Sequence, residues 1–324
     1  MHLPRRQFLK LSVGAFAVTA PRIARAQAYP SRPVRVIVGY AAGGASDIAA
    51  RLIGQRLSER LGQSFVVENR PGAASNLATE TVVHATPDGH TLLLVSASNA
   101  INATLYDKLN YNFIRDIAPV GSITRGPLVM LVNPALPATT VSQFIAYAKA
   151  NPDRVNMASA GVGSPQHLAG ELFRAMAGIT MLHVPYRGAP PALTDLIGGQ
   201  VQVYFGSTSG AISYVRSGQL RALAVTSATR SEAFPDTPAL SEFVAGYEAT
   251  TWYGLGAPKG TPVTVVDKLN AEINAALGDP TIRSRMSELG GTAFPGSPAD
   301  FAKLIANETQ SWGKAVKFSG VREG

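Results

Sequence analysis

Seven consecutive residues, Ala41-Ala42-Gly43-Gly44-Ala45-Ser46-Asp47, are the stretch of this sequence best suited to chemistry. They follow an apolar run of strand type ending at Tyr40. They precede a helical pattern with Ile48, Leu52, Ile53, Leu57 and Leu61 on one face. A Gly pair at a strand-to-helix joint lets backbone N–H groups approach a ligand. The unpaired N–H groups of the helix's first turn then favour an anion. No lysine follows the pair, so this is not a P-loop, and the third glycine of a dinucleotide fingerprint is missing. The chemistry that fits is capture of a small carboxylate. The plainer alternative is a tight turn with Ser46 or Asp47 as helix cap.

Three more stretches share this character. Ser96-Ala97-Ser98-Asn99 offers short uncharged donors after a strand. Residues 159–167, from Ser159 through Gly163, Ser164 and Gln166 to His167, run off a strand into a helix. Ser164 and the N–H groups near Gln166 and His167 would face an anion there. Gly206-Ser207-Thr208-Ser209-Gly210 follows the strand at 201–205. Gly/Ser loops at helix starts in distant parts of the chain could hold two anionic groups, or the two ends of one ligand. Signals for catalysis are poor. The nucleophile elbow Gly-x-Ser-x-Gly does not occur. The histidines are His2, His84, His90, His167 and His183, and none stands at metal-ligand spacing from another ligand type. His183, inside a strand run, reads as a hydrogen-bonded core residue; His167 reads as a site residue. Ser164 and His167, three apart at a helix start, are poorly disposed as a nucleophile and base. No catalytic residue, cofactor or metal is expected.

The elements that must position these loops alternate. Strand-like runs at 34–38, 65–67, 91–95, 128–132, 155–158, 181–185, 201–205, 220–226 and 251–255 are short and nearly unbroken, as strands buried on both faces should be. The segments between them carry helix-start signals. Thr140 with Gln143 suggests a capping box, and Ser164-Pro165, Thr261-Pro262 and Ser297-Pro298 each suggest an N-cap followed by proline. The βαβα order predicts an α/β fold with parallel sheets covered by helices on both faces. The length predicts two lobes, 29–127 with 250–324, and 128–249. The chain should cross between them near 126–131 and 248–255. Ligands in such sheets bind beyond the carboxyl ends of the strands, which here means the cleft between the lobes.

Residues 1–28 read as an export leader. Arg5-Arg6-Gln7-Phe8-Leu9-Lys10 resembles a twin-arginine signal, with Pro4 where Ser or Thr is usual. A short apolar stretch and small-x-small cleavage sites near Ala26 and Ala28 follow. Five of the 29 basic residues lie in this leader, which leaves 24 against 21 acidic ones and a net charge of about +3. The high isoelectric point therefore implies no nucleic-acid face. Absence of cysteine excludes disulfides, thiolate metal sites, a cysteine nucleophile and a lipoprotein anchor. The expected protein is periplasmic, soluble and monomeric.

Along the chain run Tyr29-Pro-Ser-Arg-Pro33, Ala42-Gly43-Gly44 with Asp47 and Arg51, Val67-Glu-Asn-Arg-Pro-Gly72, and Pro87-Asp-Gly89. Then come Ala100-Ile-Asn102, Asp116-Ile-Ala-Pro119, Gly163-Ser164 with His167-Leu168, Pro185-Tyr186-Arg187-Gly188, and Leu220-Arg-Ala-Leu-Ala-Val-Thr226. In order and spacing, over essentially all of residues 29–324, these motifs resemble Bug-type solute receptors, the periplasmic substrate-binding components of tripartite tricarboxylate transporters. The resemblance implies a type II periplasmic binding protein fold, two doubly wound lobes that close on a small carboxylate, often a dicarboxylate. It also implies integral-membrane transporter subunits as partners. A membrane sensor or chemoreceptor as partner, without transport, is the alternative; an α/β hydrolase would need a nucleophile–base pair that the sequence does not offer. The ligand-facing set expected is Tyr40, Ala42, Gly43, Gly44 and Asp47, then Ser96, Ser98 and Asn99. Ser159, Gly163, Ser164, Gln166, His167, Tyr186, Gly206 and Ser207 complete it. Three departures stand out. Gly39 and Ala41 replace prolines of the first loop, Asn99 replaces a common histidine, and Gly206 stands where many members end a strand on an acid. The last disfavours an amino-acid ligand, since no carboxylate would meet its ammonium group.

Overall fold

The alternation of apolar runs and amphipathic segments folds as read, with changes where proline and glycine interrupt the pattern. The computed structural model describes residues 29–288 and 291–322, and the expected export leader lies outside them. The chain begins β1 (Val34–Val38), α1 (Ala45–Leu61), β2 (Phe65–Asn69), a 3-10 turn at Ala73–Ser75, α2 (Asn76–Val83), β3 (Thr91–Ser96) and α3 (Ala97–Leu105). Short α4 (Phe113–Asp116) leads into β4 (Ile117–Val132). There follow α5 (Val141–Ala150), β5 (Asn156–Ser159), α6 (Pro165–Ala177), β6 (Leu182–Pro185), α7 (Ala189–Ile197), β7 (Val203–Ser207), α8 (Thr208–Arg216) and β8 (Arg221–Val225). The chain returns through β9 (Thr250–Pro258), α9 (Val263–Gly278), α10 (Pro280–Glu288), β10 (Thr292–Ala293) and α11 (Pro298–Ser319).

β4 is three times the length expected of it. The first part, Ile117 to Pro127, pairs antiparallel with β9, and the rest, Leu128 to Val132, pairs with β7 and β8. Pro119, Gly121, Gly126 and Pro127 hid this strand, and two register shifts near Pro119 and Ser122 absorb the irregularity. The strands run β2-β1-β3-β9-β4-β7-β5-β6. The flanking pairs are parallel, as expected, but the central pairs β3/β9, β9/β4 and β4/β7 are antiparallel. A chain that leaves one half and later returns must run in opposite directions at the join. Thr226 ties the two passages. The Leu128 N–H donates to its Oγ1 at 2.7 Å, and that hydroxyl lies 2.6 Å from the Ala249 carbonyl.

Helices cover both faces of each half. In the first half, α1 and α9 bury Ile53, Leu57, Leu269 and Ile273 on one face, against Val36, Val38, Leu92 and Leu255. The other face joins a core that continues into the second half through Trp252, Phe301, Phe173 and Phe205. α11 packs against α3, β4 and α6, and so touches both halves. Ser164 and Ser297 cap α6 and α11 with proline next, as their spacing predicts. α9 instead starts one residue later than Thr261-Pro262 implies. Pro262 is its N-cap, and the Thr261 hydroxyl donates back to the Pro258 carbonyl. The Thr140 hydroxyl accepts the Gln143 N–H, but Gln143 turns to Thr139, so the box is half formed. Among the described residues no helix is long and apolar enough to cross a membrane.

Candidate functional site

The Gly-Gly loop is held from behind. Gly43 takes a φ of +81°, which favours glycine, while Gly44 is an ordinary extended N-cap with φ −78°. No side chain caps α1; Asp47 braces the loop instead. Its carboxylate accepts the Gly43 N–H at 2.9 Å, Arg51 Nε at 3.0 Å and Asn69 Nδ2 at 3.0 Å. Burial by itself raises this carboxyl, but Arg51, the Gly43 N–H and Asn69 together hold it below the usual range. Asn69 also donates to the Tyr40 carbonyl. The Val67–Gly72 motif thus fixes the loop from the next strand.

In front of the loop lies a narrow cavity between the halves. Five helices begin on it. Gly44, Ala45 and Ser46 open α1, Ser96 and Ser98 open α3, and Pro165 and Gln166 open α6. Ala189 opens α7, and Ser207 and Gly210 open α8. The segments at 96–99 and 206–210, expected as loops, are these strand ends and first turns. Tyr40, Tyr204 and Tyr253 complete the wall. Burial raises the pKa of all three hydroxyls, so they remain protonated donors. Tyr40 and Ser98 share a short hydrogen bond. Gln166 and the Tyr204 hydroxyl are buried close to each other, and among the described residues neither Gln166 Oε1 nor that hydroxyl reaches a partner at full hydrogen-bond geometry. Among the described residues no charged side chain lines this cavity. First-turn N–H groups have no acceptor in their own helix, so the arrangement offers convergent positive potential without a cation.

Other expected residues stand elsewhere. Ala42 is exposed. Asn99 faces inward, accepting the Ser96 N–H at 2.9 Å and donating to Thr79. The buried Ser164 hydroxyl accepts the His167 N–H as a cap. Tyr186 donates to Asp195 at 2.6 Å and lines a neighbouring opening with Tyr106 and Arg187. Gly206 lies within β7; a Cβ there would stand 2.9 Å from the Tyr204 ring and 3.0 Å from Leu131, so packing accounts for the missing acid. Gly39 is likewise filled from outside by Ser75, one of three consecutive residues with positive φ. Sequence reasoning missed Tyr204 and Tyr253. The crossing at 248–255 was the signal available for Tyr253, because a strand joining two halves must pass the cleft.

The structure also brings together what spacing kept apart. Ser159 Oγ and His183 Nε2 are 2.6 Å apart, a serine–histidine contact the sequence did not reveal. Ser159 is fully buried, and its oxygen also accepts the Gly161 N–H. His183 stacks on His167 at 3.8 Å, and His167 Nδ1 accepts the Gly163 N–H. Burial pushes His167 down to about 3, assisted by the charges of His183 and Arg174; burial pushes His183 down to about 4. Both folded values lie below that of an unfolded histidine, so this contribution to stability is present above pH 6.5 and lost as pH falls toward 4 and 3. From pH 7 to 5, His167 alone should remove about 2 kcal/mol, and the more exposed His183 less. Urea unfolding at the two pH values tests this. His167→Asn keeps an acceptor for Gly163 and should shrink the difference; an unchanged difference would refute the assignment.

A family model described as "Tripartite tricarboxylate transporter family receptor" matches residues 49–321. Protein BugT of Bordetella pertussis is 36% identical over 317 residues, covering 96% of this chain and 97% of that one. An R. palustris protein solved with adipate superposes with a TM-score of 0.89 at 35% identity, covering 91% of this chain and 99% of that one. MatC from Rhodopseudomonas palustris, solved with bound malate, gives 0.85 at 33% identity, covering 89% and 100%.

Proposed function

The chain belongs to the tripartite tricarboxylate transporter receptor family, and from that premise we propose that it binds a small carboxylate in the interlobe cavity and delivers it to membrane transporter subunits. One observation carries this reading: five helix N-termini open on a single cavity that no charged side chain among the described residues lines. Such a site attracts an anion through backbone N–H groups and hydroxyls, and it offers no carboxylate to an ammonium group. The ligand's carboxylate sits among the first-turn N–H groups near Gly44, Ser46, Ser98 and Gln166. Lobe one is 29–127 with 250–324, and lobe two is 128–249. The protein works in the periplasm after export by the leader at 1–28.

It binds without turnover. A nucleophile must reach its substrate, and Ser159 is wholly enclosed. A thermal-shift screen of mono-, di- and tricarboxylates tests the reading. A ligand at a hundredfold excess over its Kd should add about 2.7 kcal/mol of stability, a rise of about five degrees. Mass spectrometry after prolonged incubation should recover that ligand unchanged. Catalytic loss would make the protein an enzyme, and no stabilisation by any carboxylate would remove the ligand class.

A further inference from the structure

A second, narrow pocket adjoins the first, and Ala45, Ser207 and Tyr253 line both. The polar contact across this partition is weak: Ser207 Oγ and Tyr253 Oη stand 3.5 Å apart, the outer limit of a hydrogen bond. Beyond it the chemistry changes. The walls are the flank of α1, with Ile48, Ala49 and Leu52, then Pro127 at the crossing of β4 and Met286 on α10. From Ile48 onward the N–H groups of α1 are bonded within the helix, the first of them to the Gly44 carbonyl at 3.0 Å. They offer an anion nothing. Ser209 and Thr251 place hydroxyls on the opposite wall, and Arg125 lies exposed at the rim, over the Phe294 ring.

We propose that the preferred ligand is a carboxylate whose apolar chain or ring passes Tyr253 into this second cavity. The proposal rests on the carboxylate-receptor reading above. The head group stays among the helix N-termini, and the apolar part leaves water against Ile48, Leu52 and Met286. Each added methylene that enters should raise affinity about fourfold.

Isothermal titration of straight-chain mono- and dicarboxylates of increasing length, with 3-phenylpropionate, tests this on the full protein. Ile48→Trp and Leu52→Trp each place a large ring in the cavity from half-buried positions outside the carboxylate site. The expected result is a climb in affinity with length in the wild type, which either variant flattens without weakening the shortest ligand bound. Affinity independent of length overturns the second cavity's role and leaves the receptor reading intact. So does a climb that survives in both folded variants. Failure of every member, short or long, to bind the wild type overturns both.

Discussion

Gln166→Glu should abolish carboxylate binding while leaving the fold in place. The substitution hardly changes volume. The side chain opens α6 on the interlobe cavity, where its Nε2 lies 3.4 Å from Ser207 Oγ and its Oε1 reaches no partner at full hydrogen-bond geometry among the described residues. A carboxylate there confronts the anion the cavity is proposed to hold. Two like charges about 4 Å apart at an effective dielectric of about 20 repel by roughly 4 kcal/mol. That is about a thousandfold in affinity. Burial raises the pKa of the introduced carboxyl, so the loss should ease as pH falls from 7 to 5 while the ligand stays ionised. Gln166→Leu removes the amide without adding charge and should cost far less. Titration calorimetry of the two variants separates charge from shape. Equal binding by wild type and Gln166→Glu would place the anion outside this cavity.

How much of this was legible depended on range. Strand and helix identities came from local periodicity, so β1, β3 and α6 were readable almost to the residue. β4 was not, because Pro119, Gly121 and Pro127 destroy the alternation that marks a strand. Its pairing with β9 across more than a hundred residues rescues it, and no window of sequence shows that. The site divided the same way. Gly44, Ser98, Gln166 and Ser207 announced themselves at helix starts, and all reach one cavity. Asp47, Asn99 and Ser164 carried the same signals yet point into the scaffold, since a polar residue beside an N-terminus serves the loop as readily as a ligand. Tyr204 and Tyr253 carried no such signal, and they are buried; only the placement of their strands puts them against the cleft.

Those strands also set how the halves meet, and there Gly188→Val should prop the cleft open. Gly188, the N-cap of α7, has a φ of +134°. A Cβ at that position would lie 3.0 Å from the Ala41 side chain and 3.2 Å from the Ala41 backbone nitrogen, across the cleft. Pro190, on the same helix, approaches Gly43 and Gly44 from the same side. Two costs follow from adding the side chain, and they act differently. Strain at positive φ burdens the second half whether the cleft is open or shut, so it lowers stability without changing the balance between the two. The clash with Ala41 exists only when the halves touch. Overpacking of that kind costs about 1–3 kcal/mol, so affinity for a ligand that needs both halves should fall roughly five- to 150-fold. Gly218→Val is the control. Gly218 also has a positive φ, +73°, but nothing lies within 4 Å of its Cβ position. That variant should melt earlier and bind normally. Small-angle scattering should show the wild type and Gly218→Val contracting when a ligand is added, and Gly188→Val remaining extended. Contraction and full affinity in Gly188→Val would mean that closure does not bring Gly188 against Ala41; full affinity without contraction would mean that one half alone holds the ligand.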